Sequence, residues 1–548
     1  RLTVRWPRGQ VQVLENLPAD QLLTINEPAL PADSPADGRK ANPGAAVLHA
    51  APRADALLVE HAEVRGLRHT VQQRPFDEFI GQRLLPRRLN SETPALATAD
   101  VNGDGLADLF VSGPAGQAGK LFLGQKDGSF VVAPDQPWSD AAEADDAGAT
   151  FIDVNGDGHP DLYLAAGGVQ KPRGDALLND RLYLNDGHGK FALAPTGALP
   201  ADGESTRAVA AADFDGDGRV DLFVGGRTVP GDYAGHPRSF LYRNVAGKLV
   251  DVTDEVAPGL RDVGMVTAAV WADLDGDKRP DLLVACDWGP VAIFHNTGQK
   301  LENRTTAAGL AERTGWWRAL AVADVNGDGR PDIIAGNAGL NTKYHATIAE
   351  PTRVYAGDFD GSGRTQIVEA QYEEGRLVPV RGRSKLAYAF PWLAKKFPTY
   401  QGFAKATLPD IFGADRLASV RMLSATELAS GVFLQQAGGT YQFAPLPSEA
   451  QLAPVNAIVV TDVTGDGHAD LVLVGNDFGP EPSTGRFDGG LGLVLRGDGR
   501  GGFTALSPAA SGLLVPGEAR AAVLLPAAKG SRIAVACNQG ALLFFETK

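Results

Sequence analysis

Asp100-Val-Asn-Gly-Asp-Gly-Leu-Ala-Asp108 is the stretch that decides the fold, because six closely related versions of it occur along the chain. The other five versions begin at Asp153, Asp213, Asp273, Asp324 and Asp462. A seventh version begins at Asp358 and lacks the carboxylates at positions 5 and 9. A pattern that recurs through a chain indicates a repeat architecture, in which each copy belongs to one structural unit.

Each full copy has oxygen-bearing side chains at positions 1, 3, 5 and 9. Calcium takes about six to eight oxygen ligands, including backbone carbonyls, so this spacing suits it. Glycines between these positions permit positive φ angles, which let the loop curl and turn several oxygens inward. The side chain at position 7 varies, which predicts that only its carbonyl is used. An apolar run follows position 9 and no Glu stands at position 12, so the loop differs from an EF-hand and joins two strands.

The alternative interpretation of these copies is that their Asn-Gly and Asp-Gly pairs are ordinary hairpin turns. Six copies with oxygen ligands at all four positions favour metal binding instead. Three or four carboxylates held close together repel one another unless a cation neutralises them. We therefore predict about six Ca²⁺ sites, one in each full copy.

The predicted ligands occupy positions 1, 3, 5, 7 and 9 of the six full copies. They are Asp100, Asn102, Asp104, Leu106, Asp108, Asp153, Asn155, Asp157, His159, Asp161, Asp213, Asp215, Asp217, Arg219, Asp221, Asp273, Asp275, Asp277, Arg279, Asp281, Asp324, Asn326, Asp328, Arg330, Asp332, Asp462, Thr464, Asp466, His468 and Asp470. In the seventh copy Asp358, Asp360 and Ser362 form a weak candidate site, because Ser362 and Gln366 remove two charges.

The copies through Asp324 begin 53, 60, 60 and 51 residues apart, and each unit reads as strand, Asp loop, second strand and outer hairpin. This predicts an all-β fold, a β-propeller of four-stranded blades. We favour seven blades from the outer hairpins, whereas the inner strand pairs count eight. A helix-like stretch bracketed by prolines predicts a small helical insertion at about 384–415, and strand-like runs within 431–443 would complete the interrupted blade.

Three regions are predicted along the chain. Residues 1–28 alternate as strands do and contain Trp6-Pro-Arg-Gly9, whereas residues 29–65 are rich in Pro, Ala, Asp and Gly and read as a linker. Residues 66–548 form the propeller. A strand near Thr70 is expected to close the ring against three C-terminal strands that have no Asp loop.

Composition limits the class of protein. The formal charge of −15 argues against nucleic acid as a partner, and six divalent ions would add roughly +12. Cys286 and Cys537 end apolar runs in distant repeats, so we expect buried thiols.

No stretch is apolar enough to span a membrane. Loops of modest calcium affinity fill outside the cytoplasm, and the chain begins at Arg1 within a strand-like run, so we expect an extracellular or outer-membrane protein whose signal peptide or anchor is absent from this fragment.

The Asp loops resemble FG-GAP/VCBS repeats, the calcium-loop blades that integrin α-subunit propellers also contain. Trp6-Pro-Arg-Gly9 resembles the Trp-Pro-Ser-Gly hairpin of ASPIC/UnbV domains, so residues 1–28 look like the C-terminal remnant of such a domain. The chain is therefore similar to the ASPIC/UnbV family that includes cartilage acidic protein. Asp410-Ile-Phe-Gly413 and Ser511-Gly-Leu-Leu-Val-Pro-Gly-Glu518 are similar to segments of its large bacterial cell-surface members. The resemblance implies an exported, calcium-stabilised propeller.

The sequence contains no Gly-x-Ser-x-Gly elbow, His-Glu-x-x-His pair or phosphate loop. The first hypothesis is therefore a non-enzymatic binding module that presents one face to a glycan, peptide or partner protein at the cell surface, including an outer-membrane complex. The alternative is a carbohydrate-active enzyme similar to a polysaccharide lyase. Its first candidate residues are Arg318, Tyr344 and His345, which offer a base and a group that neutralises a carboxylate.

Two further sets of segments are candidates for a ligand site. The tryptophans of Asp287-Trp-Gly289 and Gly315-Trp-Trp-Arg318 either offer rings to a ligand or fill gaps between blades. The segments Asn476-Asp-Phe478 and Arg486-Phe-Asp488 carry an acid and a base that either bind a ligand or brace a loop.

Overall fold

The structure of the protein is a computed structural model that describes residues 2–5, 11–14, 55–526 and 530–548. Near the N-terminus, β1 (Leu2–Arg5) pairs antiparallel with β2 (Val11–Leu14). The predicted turn at Trp6-Pro-Arg-Gly9 and most of the predicted linker lie outside the described residues.

Eight antiparallel sheets, each built on four strands, make up the rest of the described strands. Strand β3 (Leu58–Glu60) comes first in the chain. Sheet 1 contains β4 (Leu96–Ala99), β5 (Asp108–Val111), β6 (Lys120–Gly124) and β7 (Phe130–Val132). Sheet 2 contains β8 (Asp146–Ile152), β9 (Asp161–Ala166), β10 (Arg181–Asn185) and β11 (Phe191–Leu193). Sheet 3 contains β12 (Ser205–Ala212), β13 (Asp221–Thr228), β14 (Phe240–Val245) and β15 (Lys248–Asp251).

Sheet 4 contains β16 (Met265–Ala272), β17 (Asp281–Gly289), β18 (Val291–Asn296) and β19 (Leu301–Asn303), and the short β20 (Gly315–Trp316) also pairs with β17. Sheet 5 begins with β21 (Ala319–Ala323) and β22 (Asp332–Gly336). The inserted sheet follows, with β23 (Thr352–Gly357), β24 (Gln366–Glu373), β25 (Arg376–Pro379) and β26 (Arg421–Ala425).

Sheet 5 is completed by β27 (Gly431–Gln435) and β28 (Tyr441–Pro445). Sheet 6 contains β29 (Val455–Thr461), β30 (Asp470–Gly475), β31 (Leu493–Gly497) and β32 (Phe503–Leu506). Sheet 7 contains β33 (Glu518–Leu525), β34 (Arg532–Asn538), β35 (Leu543–Thr547) and the early strand β3.

The helices are short. They are α1 (Glu78–Gly81), α2 (Thr253–Val256), α3 (Arg383–Ala389), α4 (Trp392–Lys396), α5 (Tyr400–Ala404), α6 (Leu408–Phe412), α7 (Ala414–Ser419) and α8 (Pro508–Ser511). Five of them, α3 to α7, lie between β25 and β26, where the sequence predicts a helical insertion at 384–415.

The first strands of sheets 1 to 7 form a closed series of neighbours. Strand β4 contacts β8, each first strand contacts the next, and β33 contacts β4 again. Seven apolar clusters fill the spaces between consecutive sheets, and the cluster that joins sheet 7 to sheet 1 includes Phe544, Leu109 and Phe122. The chain therefore has an all-β fold of four-stranded sheets that is compatible with a β-propeller.

The strand that completes sheet 7 differs from the prediction. Strand β3 (Leu58–Glu60) pairs with β35, whereas Thr70 makes only an isolated bridge to Ala541. The predicted closing strand near Thr70 is therefore wrong, and β3 lies inside the 29–65 stretch that was interpreted as a linker. The apolar run Ala56-Leu-Leu-Val59 is only four residues long within a stretch rich in Pro, Ala, Asp and Gly, so the composition of that stretch did not indicate a strand.

The inserted sheet explains why the inner strand pairs count eight. Strands β23 and β24 flank the Asp358 loop, but they pair with β25 and β26 and not with strands of sheets 1 to 7. Side chains of α3 to α7 pack on this sheet, as Leu386, Phe390 and Phe412 do around Phe359. As predicted, the runs within 431–443 return to complete the interrupted sheet, because β27 pairs with β22 and β28.

Candidate metal loops and the polar face

The six full Asp loops all connect the first strand of a sheet to the second, in sheets 1 to 6. The seventh copy, at Asp358, makes the same connection between β23 and β24 of the inserted sheet. Because the first strands of sheets 1 to 6 are neighbours and each loop follows the end of one, the six loops lie at the same end of these strands.

The carboxylate at position 1 organises each loop. In the first loop, Asp100 Oδ1 accepts hydrogen bonds from the amides of Gly103 (2.8 Å) and Asp104 (3.2 Å), and Oδ2 accepts one from Gly105 (2.8 Å). The same three bonds recur in the other six copies. Gly103 and Gly105 have φ angles of 73° and 81°, and Lys278 adopts this left-handed conformation at 68° where the other copies have glycine.

The carboxylate at position 9 ties each full loop to its own sheet. Asp108 is fully buried, and its two oxygens accept bonds from Val101 in the loop (2.8 Å) and from Gly124 on the third strand (2.7 Å). The other five loops repeat this arrangement. Burial raises the pKa of Asp108 and Asp161 to about 6 and that of Asp221 to about 7, and the acids of the same loop add to this effect. These buried charges are unfavourable without a nearby cation.

Two loops bring three candidate ligands within 4.8 Å of one another: Asp213, Asp215 and Asp217 in one, and Asp275, Asp277 and His295 in the other. Among the six full loops, these are the two with Asp at position 3, where the other four have Asn or Thr. Carboxylate, amide and hydroxyl oxygens together form a donor set that suits Ca²⁺. The residues of the loops therefore fit this ion.

His295 was not among the predicted ligands. Its Nδ1 lies 3.1 Å from Asp281 Oδ1 and 3.5 Å from Asp275 Oδ2. The histidine belongs to β18, the third strand of sheet 4, and only the pairing of β18 with β17 brings it to the loop. Nothing in the loop pattern could indicate it.

The side chains at position 7 of three loops make contacts that the sequence pattern did not predict. The guanidinium groups of Arg219, Arg279 and Arg330 pair with the position-5 carboxylates of Asp217, Asp277 and Asp328. Their Nε atoms also donate to third-strand carbonyls, at 2.8, 2.9 and 3.3 Å. The expectation that only the carbonyl of position 7 is used is therefore incomplete, because three loops hold a cationic side chain beside a predicted ligand.

The tryptophans fill gaps in the fold. Trp288, Trp316 and Trp317 are 4%, 7% and 0% exposed. The ring centroids of Trp288 and Trp316 are 5.1 Å apart, and that of Trp316 is 4.8 Å from Tyr344. Of the two interpretations of these residues, the structure favours packing over the presentation of rings to a ligand.

Two of the three residues proposed for an enzyme, Tyr344 and Arg318, are engaged in buried contacts. Tyr344 donates its hydroxyl to Glu369 Oε1 (2.7 Å), and Arg318 donates to Asp477 Oδ2 (2.7 Å). Tyr344 and Arg318 line one cavity of about 20 Å³, whereas pockets for small molecules hold about 300–1,000 Å³. His345 is exposed and does not line this cavity.

The acid and base near residue 480 brace the structure. Asp477 is fully buried and accepts bonds from Arg87 (3.1 Å) and Arg318 (2.7 Å), while the guanidinium of Arg486 lies 4.7 Å from the centre of the Phe478 ring.

The two cysteines, Cys286 and Cys537, are free and buried, as the sequence predicted, and burial raises the pKa of each thiol to about 12.

Comparison with known proteins identifies the repeats. A family model described as the FG-GAP-like repeat matches residues 100–164, 173–224 and 273–335, which contain five of the six full loops. A second model, described as ASPIC and UnbV, matches residues 1–32. A search of curated proteins found no match.

A search of solved structures found the V. cholerae biofilm matrix protein Bap1, with 12% sequence identity and a TM-score of 0.35 over 83% of this chain and 87% of that chain. A TM-score this low carries no functional argument. Among the described residues, no helix has the length and apolar character needed to cross a membrane. The repeat matches and the match at the N-terminus show that the chain contains FG-GAP-like repeats and an ASPIC and UnbV segment, which together support an FG-GAP/ASPIC-UnbV family protein.

Proposed function

We propose that this protein is an extracellular, calcium-binding β-propeller of seven blades that acts as a non-enzymatic binding or interaction module at the cell surface. Sheets 1 to 7 are the blades, and the inserted sheet with its helices is an addition to blade 5. The ligand is a glycan, a peptide or a partner protein, including a partner in an outer-membrane complex. The observation that carries this proposal is the set of six Asp loops with one hydrogen-bond geometry at one end of the first strands.

The electrostatics of the loops support calcium binding. Each full loop holds a buried carboxylate at position 9 beside the carboxylates of positions 1 and 5, and two full loops add a fourth acid at position 3. Calcium at about 2.3–2.6 Å from several of these oxygens would remove their mutual repulsion and the penalty of the buried charge. The loop residues hold the ion, and its role is to stabilise the fold.

Side-chain hydrogen bonds couple four of the six full loops to the next sheet. The third-strand amides of Asn185, Asn244, Asn296 and Gln435 donate to the carbonyl at position 2 of the preceding sheet's loop, at 2.7 to 2.8 Å. Ordering of one loop by calcium therefore also fixes the adjacent blade. A rigid ring of this kind can present a face to a partner without rearrangement, which suits an interaction module.

The family supports the location. FG-GAP repeat proteins are typically extracellular or at the cell surface. Free calcium is plentiful there, and loops of sub-millimolar to millimolar affinity fill only where this is so. A calcium-stabilised ring would thus complete its fold after export.

The test is to measure metal content and thermal stability together. We expect protein purified without chelator to hold about six calcium ions, and EDTA to lower the melting temperature strongly. A single site at about 100 times its Kd contributes about 2.7 kcal/mol, and several sites act on one ring. Magnesium serves as the control cation, because it prefers a rigid octahedral site and should restore little of the stability. Metal-free protein whose melting is indifferent to EDTA would contradict the proposal.

A further inference from the structure

The axis of the ring contains a channel with a basic wall. The channel has a volume of about 280 Å³, is open to solvent and is lined by the first strands of sheets 1 to 7. Most of the lining side chains are small and apolar, such as Ala149, Ala269 and Ala522. Arg207, Arg318 and Arg520 line it as well, near the ends where their strands begin.

The segment from Arg87 to Glu92 adds a cation and a carboxylate to an ion-pair network that includes Arg207 and Arg318. Arg87 donates to Asp287 (2.8 Å) and Asp477 (3.1 Å), and the Glu92 carboxylate pairs with Arg207 and Arg227. Burial opposes ionisation of Glu92, but Arg227 and Arg207 hold its pKa well below its usual range. The segment thus places an ionised carboxylate against the arginines at the end where the first strands begin.

Each guanidinium of the network has a carboxylate partner, but the network has one more positive than negative formal charge. Five guanidinium groups and four carboxylates form the network: Arg87, Arg207, Arg227, Arg318, Arg520, Glu92, Asp287, Asp477 and Glu518. Buried ions are stable only when they are paired and hydrogen-bonded. A further acid, Asp145, bonds to Gln170, and burial raises its pKa to about 7, so it offsets only part of the excess.

Several donors of the network have no acceptor. Among the described residues, the guanidinium of Arg207 contacts only Glu92, and its side chain keeps 13% exposure beside the channel. Arg318 Nε, Arg520 Nε and both Nε and Nη1 of Arg227 are buried without a partner. The pKa of Arg207 is lowered to about 10, mainly by burial, and Arg520 and Arg227 contribute to this lowering against the opposing effect of Glu92. The basic wall of the channel therefore lacks a negatively charged hydrogen-bond acceptor for these arginine donors.

We propose that the arginine end of the axial channel binds a small oxyanion, a carboxylate or a sulfate group, against Arg207 with Arg318 and Arg520 beside it. The channel is near the lower limit of ligand-pocket volumes of about 300–1,000 Å³, so it admits a small ion or a single acidic sugar. The oxyanion is either a free ion or the acidic group of a larger ligand. The inference does not rest on occupancy of the calcium loops.

Isothermal titration calorimetry of the full chain, in calcium buffer at constant ionic strength, tests the proposal with two probes, sodium sulfate and sodium glucuronate. We expect saturable binding of one ion per chain, and at least a ten-fold weaker Kd in Arg207→Gln. Arg496→Gln is the matched control, because it removes the same charge from the exposed face of β31 and should leave the Kd unchanged. Binding of sulfate alone identifies a free ion, and binding of glucuronate identifies an acidic ligand group.

A second variant keeps the test decisive if Arg207→Gln does not fold. Ala269→Leu fills the channel without a change of charge, and we expect it to abolish binding of both probes while the arginine network stays intact. The proposal is overturned if neither probe binds the wild-type chain. It is also overturned if Ala269→Leu and Arg207→Gln bind the probes as the wild type does.

Discussion

The Asp loops of sheets 1 to 6 and the Asp358 loop of the inserted sheet have the same hydrogen bonds to the position-1 carboxylate. They differ in how the negative charge of the loop oxygens is compensated. In both, the position-1 carboxylate accepts three amide hydrogen bonds, as Asp358 does from Gly361, Ser362 and Gly363. In the inserted loop, however, position 9 is Gln366. Its Oε1 accepts from Phe359 (2.7 Å), just as the Asp of the other loops accepts from position 2.

The amide nitrogen of Gln366 makes the difference. It donates to Asp360 Oδ1 (2.7 Å) and Ser362 Oγ (3.0 Å), which are the oxygens at positions 3 and 5. An Asp at position 9 has no such donor, so in the full loops it cannot bridge these oxygens in this way, and under the proposed calcium binding the cation would do so. Gln366 thus supplies from the chain the positive character that, under the proposed calcium binding, the other loops would take from the metal and that three of them take partly from an arginine.

The largest expected effect comes from removal of a position-1 carboxylate in a full loop. We expect Asp213→Ala to lose one bound calcium ion and to lower the free energy of unfolding in calcium by about 3–5 kcal/mol, because three amides lose their acceptor and one site empties. Metal analysis and denaturant melts measure both quantities. The matched control is Asp358→Ala, for which we expect a smaller loss of stability and no change in bound calcium. Equal loss of calcium in the two variants would contradict the comparison.

A double substitution should convert the inserted loop. Gln366→Asp with Ser362→Asp restores the oxygen pattern of the other loops and removes the donor that now bridges positions 3 and 5. We expect one additional calcium ion per chain, and stability that depends more strongly on calcium than in the wild type. The single variant Ser362→Asp keeps Gln366 and is the control, with an unchanged metal count. If the double variant also binds no further ion, the role assigned to Gln366 is wrong.

The smallest effect should come from the arginines at position 7. In EDTA, Arg219→Gln removes the cationic partner of Asp217, so we expect a loss of about 0.5 kcal/mol, which is typical of a partly exposed ion pair. In calcium we expect no loss, because the metal takes over the charge. Thermal melts under the two conditions measure this difference. The counterpart Leu106→Gln lies in a loop without an arginine and should respond equally in both.

Much of the fold and of the candidate sites could be predicted from local sequence patterns. The Asp loops, the apolar strands beside them and the return of β27 and β28 could be predicted because their signals lie within a few residues of one another. The short strand β3 could not, since its partner β35 is almost 500 residues away in the sequence. The same applies to His295, which reaches Asp275 and Asp281 only through strand pairing.

The sequence by itself determined the repeat, the oxygen pattern of the loops and the family, because these depend on residue types at fixed short spacings. Only the tertiary structure decided which sheet belongs to the ring and which is inserted, and which side chains meet at the axis. The network of Arg87, Glu92, Arg207, Asp287 and Asp477 draws on four separate parts of the chain. No local pattern encodes such a meeting, because it arises from the packing of whole sheets around a common axis.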